Sequence, residues 1–456
     1  MVMGSLPEDV DIAIIGAGVG GYVAAIRAAE LGASVALVEK EKLGGHCLNY
    51  ACIPSKTLIN IADTFYAASH SQKFGINSDN VSIDAKKMYE WRIQASKKLE
   101  DGVGFLCNSN GVEVIKGEAT FISSNTLQLT NGTSLDFKYA IIATGSEPVN
   151  LNGFEFGEKI IDYKKALMLD YIPESMAIIG AGYVAVEIGT LYAKLGSKVS
   201  IIARSDVLSH FDRDAVNIVK KRMQELGIKI YTGAVPISYD GKFLKLGDSS
   251  LVEASLVVVA IGLRPYTSGL GLENTKVELN EKGFVKVDSS LRTTDPNIYA
   301  VGDVIGEPML AHKAIRQGVV VAEVIKGLRK SYDNIVVPAV IFSDPEIAIA
   351  GSIEEKEGIT VTKFPLTALG RSIALGTTNG FVKMAIDSNS IVKGVEIVSE
   401  SANAMIAEAA LAIEMGATAE DIAATIHPHP TYSEAVQEAA EAAIGAPIHF
   451  FYGKKQ

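Results

Sequence analysis

The chain has 456 residues, of which 48% are hydrophobic and 21% charged, so it is long enough for about three globular domains. Its formal net charge of −11 disfavours nucleic acids and anionic membranes as partners. The longest apolar stretch, Ser255–Leu263, is about half a membrane span, and three cysteines are too few for a secreted disulfide framework. Because MVMGSLPEDV at the start has no apolar run, we expect no leader peptide and a cytoplasmic location.

The first predicted βαβ segment begins at Val10, where a β-branched strand runs into a glycine turn and an amphipathic helix. Gly16, Gly18 and Gly21 have the spacing G-x-G-x-x-G, which permits a tight turn, close approach of backbone N–H groups to a pyrophosphate, and close helix packing. Glu39 ends the next strand, where a carboxylate accepts hydrogen bonds from a ribose diol. The segment predicts a dinucleotide site, and glycines that serve turn packing alone are the less favoured alternative.

The cysteine segment, LGGHCLNYACIPSK, follows directly and contains Cys47 and Cys52. No other cysteine or histidine pair completes a zinc site, so we expect no metal. Five positions along a regular helix separate Cα atoms by roughly 8–9 Å, whereas a disulfide needs less than ~7 Å. The two cysteines can therefore form a bridge only if the backbone between them is distorted.

Pro54 suits the first turn of a helix that follows this distortion. Cys52 would then lie at the helix N-terminus, where the helix dipole stabilises a thiolate. The alternative is two buried, unpaired cysteines, but the preceding glycines and the nucleotide motif upstream argue against it. Cys107 has no comparable setting and is expected to be a core residue.

Three later apolar runs end in glycine turns: KYAIIATG (Lys138–Gly145), SLVVVAIGLRP (Ser255–Pro265) and NIYAVGDV (Asn297–Val304). Between the first two lies a second βαβ segment, which starts at Met176. Its motif is G-x-G-x-x-A, formed by Gly180, Gly182 and Ala185, and its first glycine lies 164 positions after Gly16. Two such segments in one chain predict two nucleotide sites.

The second site differs from the first at its acidic position. Glu39 lies 23 positions after the first glycine of its motif, and the same count in the second segment reaches Ala203, followed by Arg204 and Ser205. A ribose 2′-OH favours a carboxylate there, whereas a 2′-phosphate favours a cation and a hydroxyl. The pattern therefore favours NADP(H). The alternative is that Arg204 is a solvated surface charge and Asp206 contacts the ribose.

From about Ile335 the pattern changes to alternating strand-like runs and a helical stretch, Ala402–Met415, without a nucleotide motif. We expect a separate α+β domain there. Near its end, IHPHPTYSE is a stiff extended segment because its histidines alternate with prolines. Thr431 or Ser433 could cap a helix that starts at Glu434.

A rigid histidine five positions before a carboxylate suits an acid–base pair, in which Glu434 orients the imidazole of His429. Taken alone, a His-Pro-His-Pro segment is more often a structural corner. A redox-active cysteine pair elsewhere in the chain favours the catalytic interpretation, because a thiol substrate needs a base.

The motifs GGHCLNYACIPSK, KYAIIATGS, IYAVGDV, PMLAHKA and HPHPTYSE, in this order, resemble the class I pyridine nucleotide–disulfide oxidoreductases over essentially the whole chain. Leu310–Ala314 and the paired His-Pro motif are most similar to those of the dihydrolipoamide dehydrogenases. The resemblance implies a glutathione reductase-like α/β fold with two Rossmann-like domains and an α+β dimerisation domain. It places FAD-binding parts at 1–148 and 269–334, an NAD(P)-binding domain at 149–268, and the interface domain of a homodimer at 335–456.

The resemblance also implies the chemistry of the thiols. Cys47 would exchange with the substrate, and Cys52 would be the thiolate in contact with the flavin. His429 of the partner subunit, oriented by Glu434, would be the base. Oxidation of dihydrolipoamide with hydride passed through FAD to NAD(P)⁺ follows from these roles.

The resemblance further implies the residues that contact the cofactors. Lys56 and Glu187 would form an ion pair near the flavin ring, and Asp303 would contact the FAD ribityl chain. The full set of implied cofactor contacts is Gly16, Gly18, Gly21, Glu39, Lys40, Gly45, Lys56, Gly117, Thr144, Gly145, Asp303, Leu310, Ala311 and His312 for FAD, and Gly180, Gly182, Tyr183, Ala185, Glu187, Arg204 and Gly262 for NAD(P).

The chain departs from the family pattern at several positions. His46 replaces a threonine, and Tyr50-Ala51 replaces Val-Gly, beside the cysteines. The second nucleotide segment resembles NADPH-linked glutathione and mercuric reductases, so an NADPH-dependent disulfide reductase is the alternative function. The C-terminal GKKQ lacks the cysteine pair of mercuric and high-molecular-weight thioredoxin reductases. A non-enzymatic subunit of a 2-oxoacid dehydrogenase complex is disfavoured because both thiols and the base are retained.

Overall fold

The computed structural model describes residues 9–78 and 80–451. The expectations of no leader peptide and of no C-terminal cysteine pair concern residues that lie outside this part. The chain divides into two compact units: unit 1 comprises Met1–Pro173 and Val258–Asp333, and unit 2 comprises Glu174–Val257 and Asn334–Gln456. The four domain segments expected from the sequence remain a prediction. Within the described ranges, no helix combines the length and the apolar character that crossing a membrane requires.

The strands of the described ranges are β1 (Asp9–Ile15), β2 (Val35–Glu39), β3 (Glu113–Lys116), β4 (Ala119–Ser123), β5 (Thr126–Leu129), β6 (Ser134–Ile142), β7 (Ser146–Pro148), β8 (Ile160–Asp162), β9 (Ser175–Ile179), β10 (Lys198–Ile202), β11 (Lys229–Tyr231), β12 (Pro236–Tyr239), β13 (Phe243–Leu246), β14 (Leu251–Glu253), β15 (Leu256–Val259), β16 (Leu263–Pro265), β17 (Ile298–Ala300), β18 (Ala339–Ile341), β19 (Glu346–Gly351), β20 (Ile359–Pro365), β21 (Phe381–Asp387) and β22 (Val392–Ser399).

The α-helices of the same ranges are α1 (Val19–Glu30), α2 (Gly45–Asn49), α3 (Cys52–Ser69), α4 (Ala85–Ser109), α5 (Tyr163–Ala166), α6 (Tyr183–Lys194), α7 (Arg213–Glu225), α8 (Ala311–Ile325), α9 (Gly370–Leu375), α10 (Ala402–Met415), α11 (Ala419–Ala424) and α12 (Glu434–Ala443). Single 3₁₀ turns occur at Ser71–Phe74, Leu272–Asn274, Gly302–Ile305 and Leu366–Ala368.

The central sheet of unit 1 contains five parallel strands in the order β3-β2-β1-β6-β17, and β5 and β4 extend it in antiparallel fashion. Strand β1 contributes side chains alternately to two buried clusters, with Ile12 and Ile14 in one and Ala13 and Ile15 in the other. Burial of both faces explains its continuous apolar sequence. Because the five strands are parallel, their carboxyl ends lie at one edge of the sheet, where ligands of such sheets bind.

Besides the small antiparallel sheet β12-β13-β14, unit 2 contains strands of two further sheets. Strands β11, β10 and β9 are parallel neighbours, and the second βαβ segment predicted from the sequence supplies two of them. The other sheet is antiparallel, in the order β18-β19-β22-β21-β20. Helices α10 and α12 pack on it around a core that includes Ile397, Met405 and Ala439. Helix α10 has the bounds expected for the helical stretch, so this prediction is confirmed.

Ion pairs link the two chain segments of unit 2. Lys383 Nζ binds Asp212 Oδ1 at 2.7 Å and Asp214 Oδ2 at 3.0 Å, and Lys363 Nζ binds Asp214 Oδ2 at 2.8 Å. Asp212 also caps α7 by accepting hydrogen bonds from the first backbone N–H groups of that helix. The lysines of β20 and β21 therefore hold the N-terminus of α7 on the antiparallel sheet.

Glu396 lies beside these ion pairs, directly opposite Lys383 on the neighbouring strand. Its side chain is 0% exposed, and neither carboxyl oxygen has a hydrogen-bond partner among the described residues. Burial, followed by the negative charges of Asp212 and Asp214, raises its pKa to about 8, against the opposing effects of Lys383 and Lys363. Glu396 is therefore a protonated, neutral side chain at neutral pH.

Glu396→Gln should become more stabilising, relative to the wild type, as the pH rises. The unfolded chain ionises Glu396 above its ordinary pKa of 4.5, whereas the folded chain keeps it protonated up to about 8, so the wild type loses stability across this window. Glutamine cannot ionise and avoids the loss. The expected gain between pH 5.5 and pH 8.5 is on the order of 2 kcal/mol in the free energy of urea unfolding. An equal difference between variant and wild type at both pH values would contradict the buried, neutral carboxyl.

Candidate active site

The first glycine motif joins β1 to α1, and each of its glycines meets a different constraint. Gly16 has φ +99°, and a Cβ there would lie 2.5 Å from the Ala143 carbonyl oxygen. A Cβ on Gly21 would lie 1.9 Å from the Gly16 carbonyl oxygen, so the strand–helix contact has no room for a side chain. A Cβ on Gly18 would meet nothing within 4 Å. Gly18 is the N-cap of α1, and no side chain caps this helix, so its first N–H groups face an open approach.

Glu39 lies at the carboxyl end of β2, next to this turn. Its Oε2 accepts a hydrogen bond from Ala17 N at 2.7 Å, and its Oε1 accepts one from Glu41 N at 2.7 Å. Each carboxylate oxygen has a further lone pair for a ribose hydroxyl. Gly117, which follows β3, has φ +152° and donates its N–H to Glu39 O at 2.9 Å. The carboxylate of Glu39, which was predicted from the motif spacing, is thus held in position by hydrogen bonds from backbone N–H groups.

The next strands bring further predicted residues to the same edge. Thr144 Oγ1 donates to Tyr266 O at 2.7 Å, and Gly145 O accepts from Tyr266 N at 3.0 Å. The Tyr266 hydroxyl also accepts a hydrogen bond from Lys40 Nζ at 2.8 Å. Tyr266 therefore links the ends of β6 and β2. No motif in the sequence predicted this link.

Asp303 follows β17 and accepts a hydrogen bond from Ser146 Oγ at 2.7 Å. Burial raises the pKa of Asp303, against the opposing effects of Ser146 and Lys313. The nearby helix α8 begins at Ala311 with Leu310 as N-cap, and no side chain caps its first turn, which includes His312. Asp303 and a second uncapped helix terminus thus belong to the same unit as the first glycine motif.

The backbone between the two cysteines departs from a helix, as the spacing argument requires. Helix α2 ends at Asn49, and Ala51 has φ −132° and ψ −91° before α3 begins at Cys52. The expected distortion and the expected helix start are both confirmed. Because the φ of Ala51 is negative, this turn does not need a glycine at that position.

The two thiols are close enough to interact. Both cysteines are half-buried and are hydrogen-bonded to each other. That hydrogen bond, followed by burial and the charge of Cys52, raises the pKa of Cys47 well above its ordinary value, against the opposing charge of Lys56. Cys47 therefore keeps its proton, while Cys52 at the N-terminus of α3 has the position that favours a thiolate.

His46 precedes Cys47 in α2 and lies between the rings of Tyr50 and Tyr163, whose centroids are 6.0 and 6.2 Å away. Burial, and then the charge of Lys164, lower its pKa to about 4. His46 is therefore uncharged near neutral pH and adds no positive charge beside the cysteines. Cys107, by contrast, is fully buried on α4 in the hydrophobic core, as expected.

The second glycine motif repeats the first in unit 2. Gly180 has φ +123°, Gly182 is the N-cap of α6, and no side chain caps this helix either. Ala185 is fully buried at the third position of the motif, and Tyr183 is 40% exposed in the first helical turn. The helix N-terminus is thus open in the manner expected of a nucleotide site.

The charged residues after β10 are those on which the NADP(H) prediction and its alternative depend. Arg204 and Ser205 are exposed. Asp206 Oδ1 accepts hydrogen bonds from Val207 N at 2.8 Å and from Lys220 Nζ at 2.7 Å, and the Lys220 hydrogen bond holds the pKa of Asp206 below its ordinary value. Asp206 is therefore already paired with a lysine, which weakens the alternative in which it contacts a ribose.

Glu187 and Gly262 have local contacts that the sequence did not predict. Glu187 is buried on α6 and accepts a hydrogen bond from Phe342 N at 3.0 Å. Gly262 has φ +132°, and its carbonyl accepts a hydrogen bond from Val149 N at 3.1 Å. The ion pair of Glu187 with Lys56 remains a prediction, since the two residues belong to different units.

The predicted histidine–carboxylate pair is formed. His429 Nδ1 is 2.8 Å from Glu434 Oε1, and Glu434 Oε2 accepts a hydrogen bond from Thr431 N at 2.7 Å. Partial burial raises the pKa of Glu434, but the hydrogen bonds from Thr431 and His429 outweigh it and hold that pKa below its ordinary value. Helix α12 begins at Glu434 as expected, and Ser433 is its N-cap residue, but the expected side-chain cap is absent. The Thr431 and Ser433 hydroxyls are hydrogen-bonded to each other at 2.8 Å, and Thr431 Oγ1 also lies 2.7 Å from Pro428 O, to which it donates.

The two histidines of this segment differ in exposure. The His427 side chain is 5% exposed and its Nε2 lies 2.8 Å from Glu408 Oε1, whereas the His429 side chain is 77% exposed. A base must reach its substrate, so the exposure favours His429.

Sequence reasoning missed Ser146, Tyr266 and Lys220. Ser146 directly follows Thr144 and Gly145, so the sequence could have placed it at the same edge of the sheet. Tyr266 lies 122 positions from its partner Thr144, and Lys220 lies 14 positions from its partner Asp206. No motif spacing connects the members of either pair.

The sequence matches the family profile described as "Pyridine nucleotide-disulphide oxidoreductase" over residues 10–318, and that of the family's dimerisation domain over residues 337–440. The chain belongs to this family. Dihydrolipoyl dehydrogenase of Geobacillus stearothermophilus is 44% identical to it, with 98% of this chain and 99% of the relative covered. Dihydrolipoyl dehydrogenase of Halobacterium salinarum is 40% identical over the same shares.

Solved structures of similar fold include LpdA from Mycobacterium tuberculosis, with a TM-score of 0.88 and 26% identity, covering 95% of this chain and 99% of that one. The HOCl-induced flavoprotein disulfide reductase RclA from Escherichia coli has a TM-score of 0.86 and 25% identity, covering 94% and 99%. Both likenesses agree with the glutathione reductase-like fold implied by the sequence.

Membership of the pyridine nucleotide–disulphide oxidoreductases implies FAD and a nicotinamide nucleotide. The residues fit both groups, because the space that a Cβ would occupy on Gly18 and on Gly182 is empty, beside helix N-termini without side-chain caps. Glu39 suits a ribose diol in the first site, and in the second site Arg204 directly follows Ala203, the position that corresponds to Glu39.

Gly18→Ala and Gly21→Ala should fail in different ways. The added methyl of Gly18→Ala has open space around it, so the apoprotein should fold normally but bind FAD at least ~10-fold more weakly, because the methyl obstructs the pyrophosphate approach. Gly21→Ala forces a methyl against the Gly16 carbonyl and should reduce soluble yield and lower the melting temperature. Flavin absorbance per protein and thermal unfolding distinguish the outcomes; normal FAD affinity in Gly18→Ala would refute the assignment of this turn.

Proposed function

We propose that this protein oxidises dihydrolipoamide to lipoamide through the Cys47–Cys52 pair and passes the electrons by way of FAD to a nicotinamide nucleotide. The observation that carries the proposal is the contact between the two thiols at the break between α2 and α3. Similarity to dihydrolipoyl dehydrogenases over 98% of the chain supports the choice of substrate. We infer a homodimer in the cytoplasm, with free lipoamide or a lipoyl-bearing domain as the substrate.

The base in this mechanism is His429. Because Nδ1 is held by Glu434, Nε2 is the nitrogen that accepts the proton of a dihydrolipoyl thiol. Glu434 is fixed in turn by the Thr431 N–H, so the ring has one orientation. We infer that His429 of one subunit serves the cysteine pair of the other.

Thiol–disulfide exchange then transfers two electrons. The deprotonated substrate sulfur attacks Cys47 of the oxidised pair, the Cys47–Cys52 bond breaks, and Cys52 leaves as a thiolate. The second substrate thiol attacks the mixed disulfide and releases lipoamide, and its proton passes to Cys47. The proton affinity of Cys47 and the position of Cys52 at a helix N-terminus match this final distribution. FAD, when bound, accepts the electron pair from the reduced cysteines and delivers it as hydride to the nicotinamide.

We also infer that the nicotinamide nucleotide is NADP(H). Arg204 and Ser205 are an exposed cation and hydroxyl after β10, which suit a 2′-phosphate, and Asp206 is paired with Lys220. This feature supports one alternative function, an NADPH-dependent reductase of a small disulfide such as glutathione disulfide, working in the opposite direction.

Cys47→Ser should abolish turnover of dihydrolipoamide, and His429→Gln should lower kcat/KM by about 10²- to 10⁴-fold, because each removes one chemical step. Both variants should retain FAD, measured by flavin absorbance. His210→Gln, an exposed histidine outside the pair, is the matched control and should keep wild-type activity. Near-normal turnover in either active-site variant would sink the proposal, and faster reduction of glutathione disulfide than of lipoamide would favour the alternative.

Arg204→Glu should shift the preference from NADP toward NAD by at least ~10-fold, since it removes a charge-assisted contact and repels a 2′-phosphate. The measurement is the ratio of kcat/KM with the two nucleotides. Lys229→Glu changes charge equally, but Lys229 lies at the amino end of β11, the opposite edge of the sheet from Arg204, and should leave the ratio unchanged. An unaltered ratio in Arg204→Glu would show that Arg204 is a solvated charge.

A further inference from the structure

Helix α12 carries a second histidine–carboxylate pair beside the first. Glu434, Glu438 and Glu441 are spaced four and three positions apart, which places them on one face of the helix. His429 pairs with the first of these carboxylates, and His449 Nδ1 lies 2.5 Å from Glu438 Oε1. Two imidazoles are thus attached to one acidic helix face, one helical turn apart.

This acidic face is only partly neutralised by its neighbours. The second carboxylate oxygens of Glu438 and Glu441 are buried and have no hydrogen-bond partner among the described residues. Glu441 Oε1 accepts a hydrogen bond from Gln437 Nε2 at 3.0 Å, which adds no charge. Among the described residues, His449 interacts electrostatically with all three carboxylates, and His429 and His427 do so with Glu434.

The carboxylates of α12 favour the charged form of His449. Its hydrogen bond with Glu438, followed by the charges of Glu438, Glu441 and Glu434, raises its pKa above the ordinary value. The His449 side chain is 70% exposed, so it gains and loses its proton freely with the solvent.

We propose that His449 and Glu438 are positioning residues that set the pH range in which His429 accepts the substrate proton, acting through the shared charge of the α12 face. The proposal rests on the proposed role of His429 as the base. His449 reduces the negative potential that Glu434, Glu438 and Glu441 produce at the His429 ring, and Glu438 increases it. Two other charged groups belong to elements at this segment. His427 is paired with Glu408 of α10, and Arg371 of α9 directly follows Gly370, on which a Cβ would lie 4.0 Å from His429 Cε1.

The two residues should therefore act with opposite signs. His449→Gln removes a positive charge, which favours protonated His429, so the acid limb of the activity profile should move about 0.3–0.5 pH unit upward. Glu438→Gln removes a negative charge, and the limb should move downward by a similar amount. The double variant should lie near the wild type. Glu355→Gln, an exposed carboxylate in the loop between β19 and β20, is the charge-matched control and should cause no shift.

Two measurements together test the electrostatic coupling to His429 and distinguish its failure from a failure of the proposed function. One is the pH profile of dihydrolipoamide turnover, with ionic strength raised to ~0.5 M, where screening should shrink both shifts. The other is NMR of ¹³C-labelled histidine, with the His429 ring signal identified by its loss in His429→Gln. Its pH transition should shift in the same opposite directions, whether or not lipoamide is the substrate.

A ring transition that does not move, or that moves in the same direction in both variants, would overturn the proposal. Opposite shifts of the ring signal with no lipoamide turnover in the wild type would uphold the electrostatic coupling and refute the proposed function instead. If both variants lost kcat to an extent independent of salt, and the His429 ring signal did not shift, the His449–Glu438 pair would have a structural role and the proposal would be wrong.

Discussion

The segment that carries the cysteines is pressed against the first glycine turn, and the rest of the candidate site depends on this contact. A Cβ on Gly45 would lie 2.6 Å from the Gly18 Cα, and Gly44 N donates to Ala17 O at 2.8 Å. The two backbones can approach this closely because Gly45 has no side chain. The contact fixes the start of α2 beside the N-terminus of α1, so a thiol pair and an anion-binding turn share one region of unit 1.

The order of the parallel strands then brings further groups to the same edge. Glu39 ends β2, Thr144 follows β6 and Asp303 follows β17. These strands are far apart in the chain, but in the sheet β6 pairs with β17 and β1 alone separates β2 from β6. Hydrogen bonds to backbone groups, Tyr266 and Ser146 give the three side chains defined positions. The site is therefore a property of sheet topology, and the helix termini and carboxylates around it are positioned by rigid elements.

Unit 2 uses charge pairs for the same purpose. Lys220 pairs with Asp206, Glu434 orients His429, and the lysines of β20 and β21 hold α7. Glu396 lies beside that last group in its neutral form because ionisation in a fully buried position costs too much. These pairs determine which ionisable side chains are available for chemistry and which are already satisfied.

The sequence determined the features that depend on neighbours a few positions away. Glycine spacing predicted both open helix termini, the five-residue interval predicted the break at Ala51, and the interval from His429 to Glu434 predicted their pair. Side-chain capping by Thr431 or Ser433 was wrong: the two hydroxyls are hydrogen-bonded to each other at 2.8 Å, and no side chain accepts a capping hydrogen bond at the start of α12. Tertiary structure alone decided that Asp206 pairs with Lys220, that Ser146 binds Asp303, that Glu396 is neutral, and that His449 joins Glu438. The free energy of a charged side chain depends on its burial and on nearby charges. Both are determined by residues of other elements, so the spacing of neighbouring residues in the sequence does not predict these pairs.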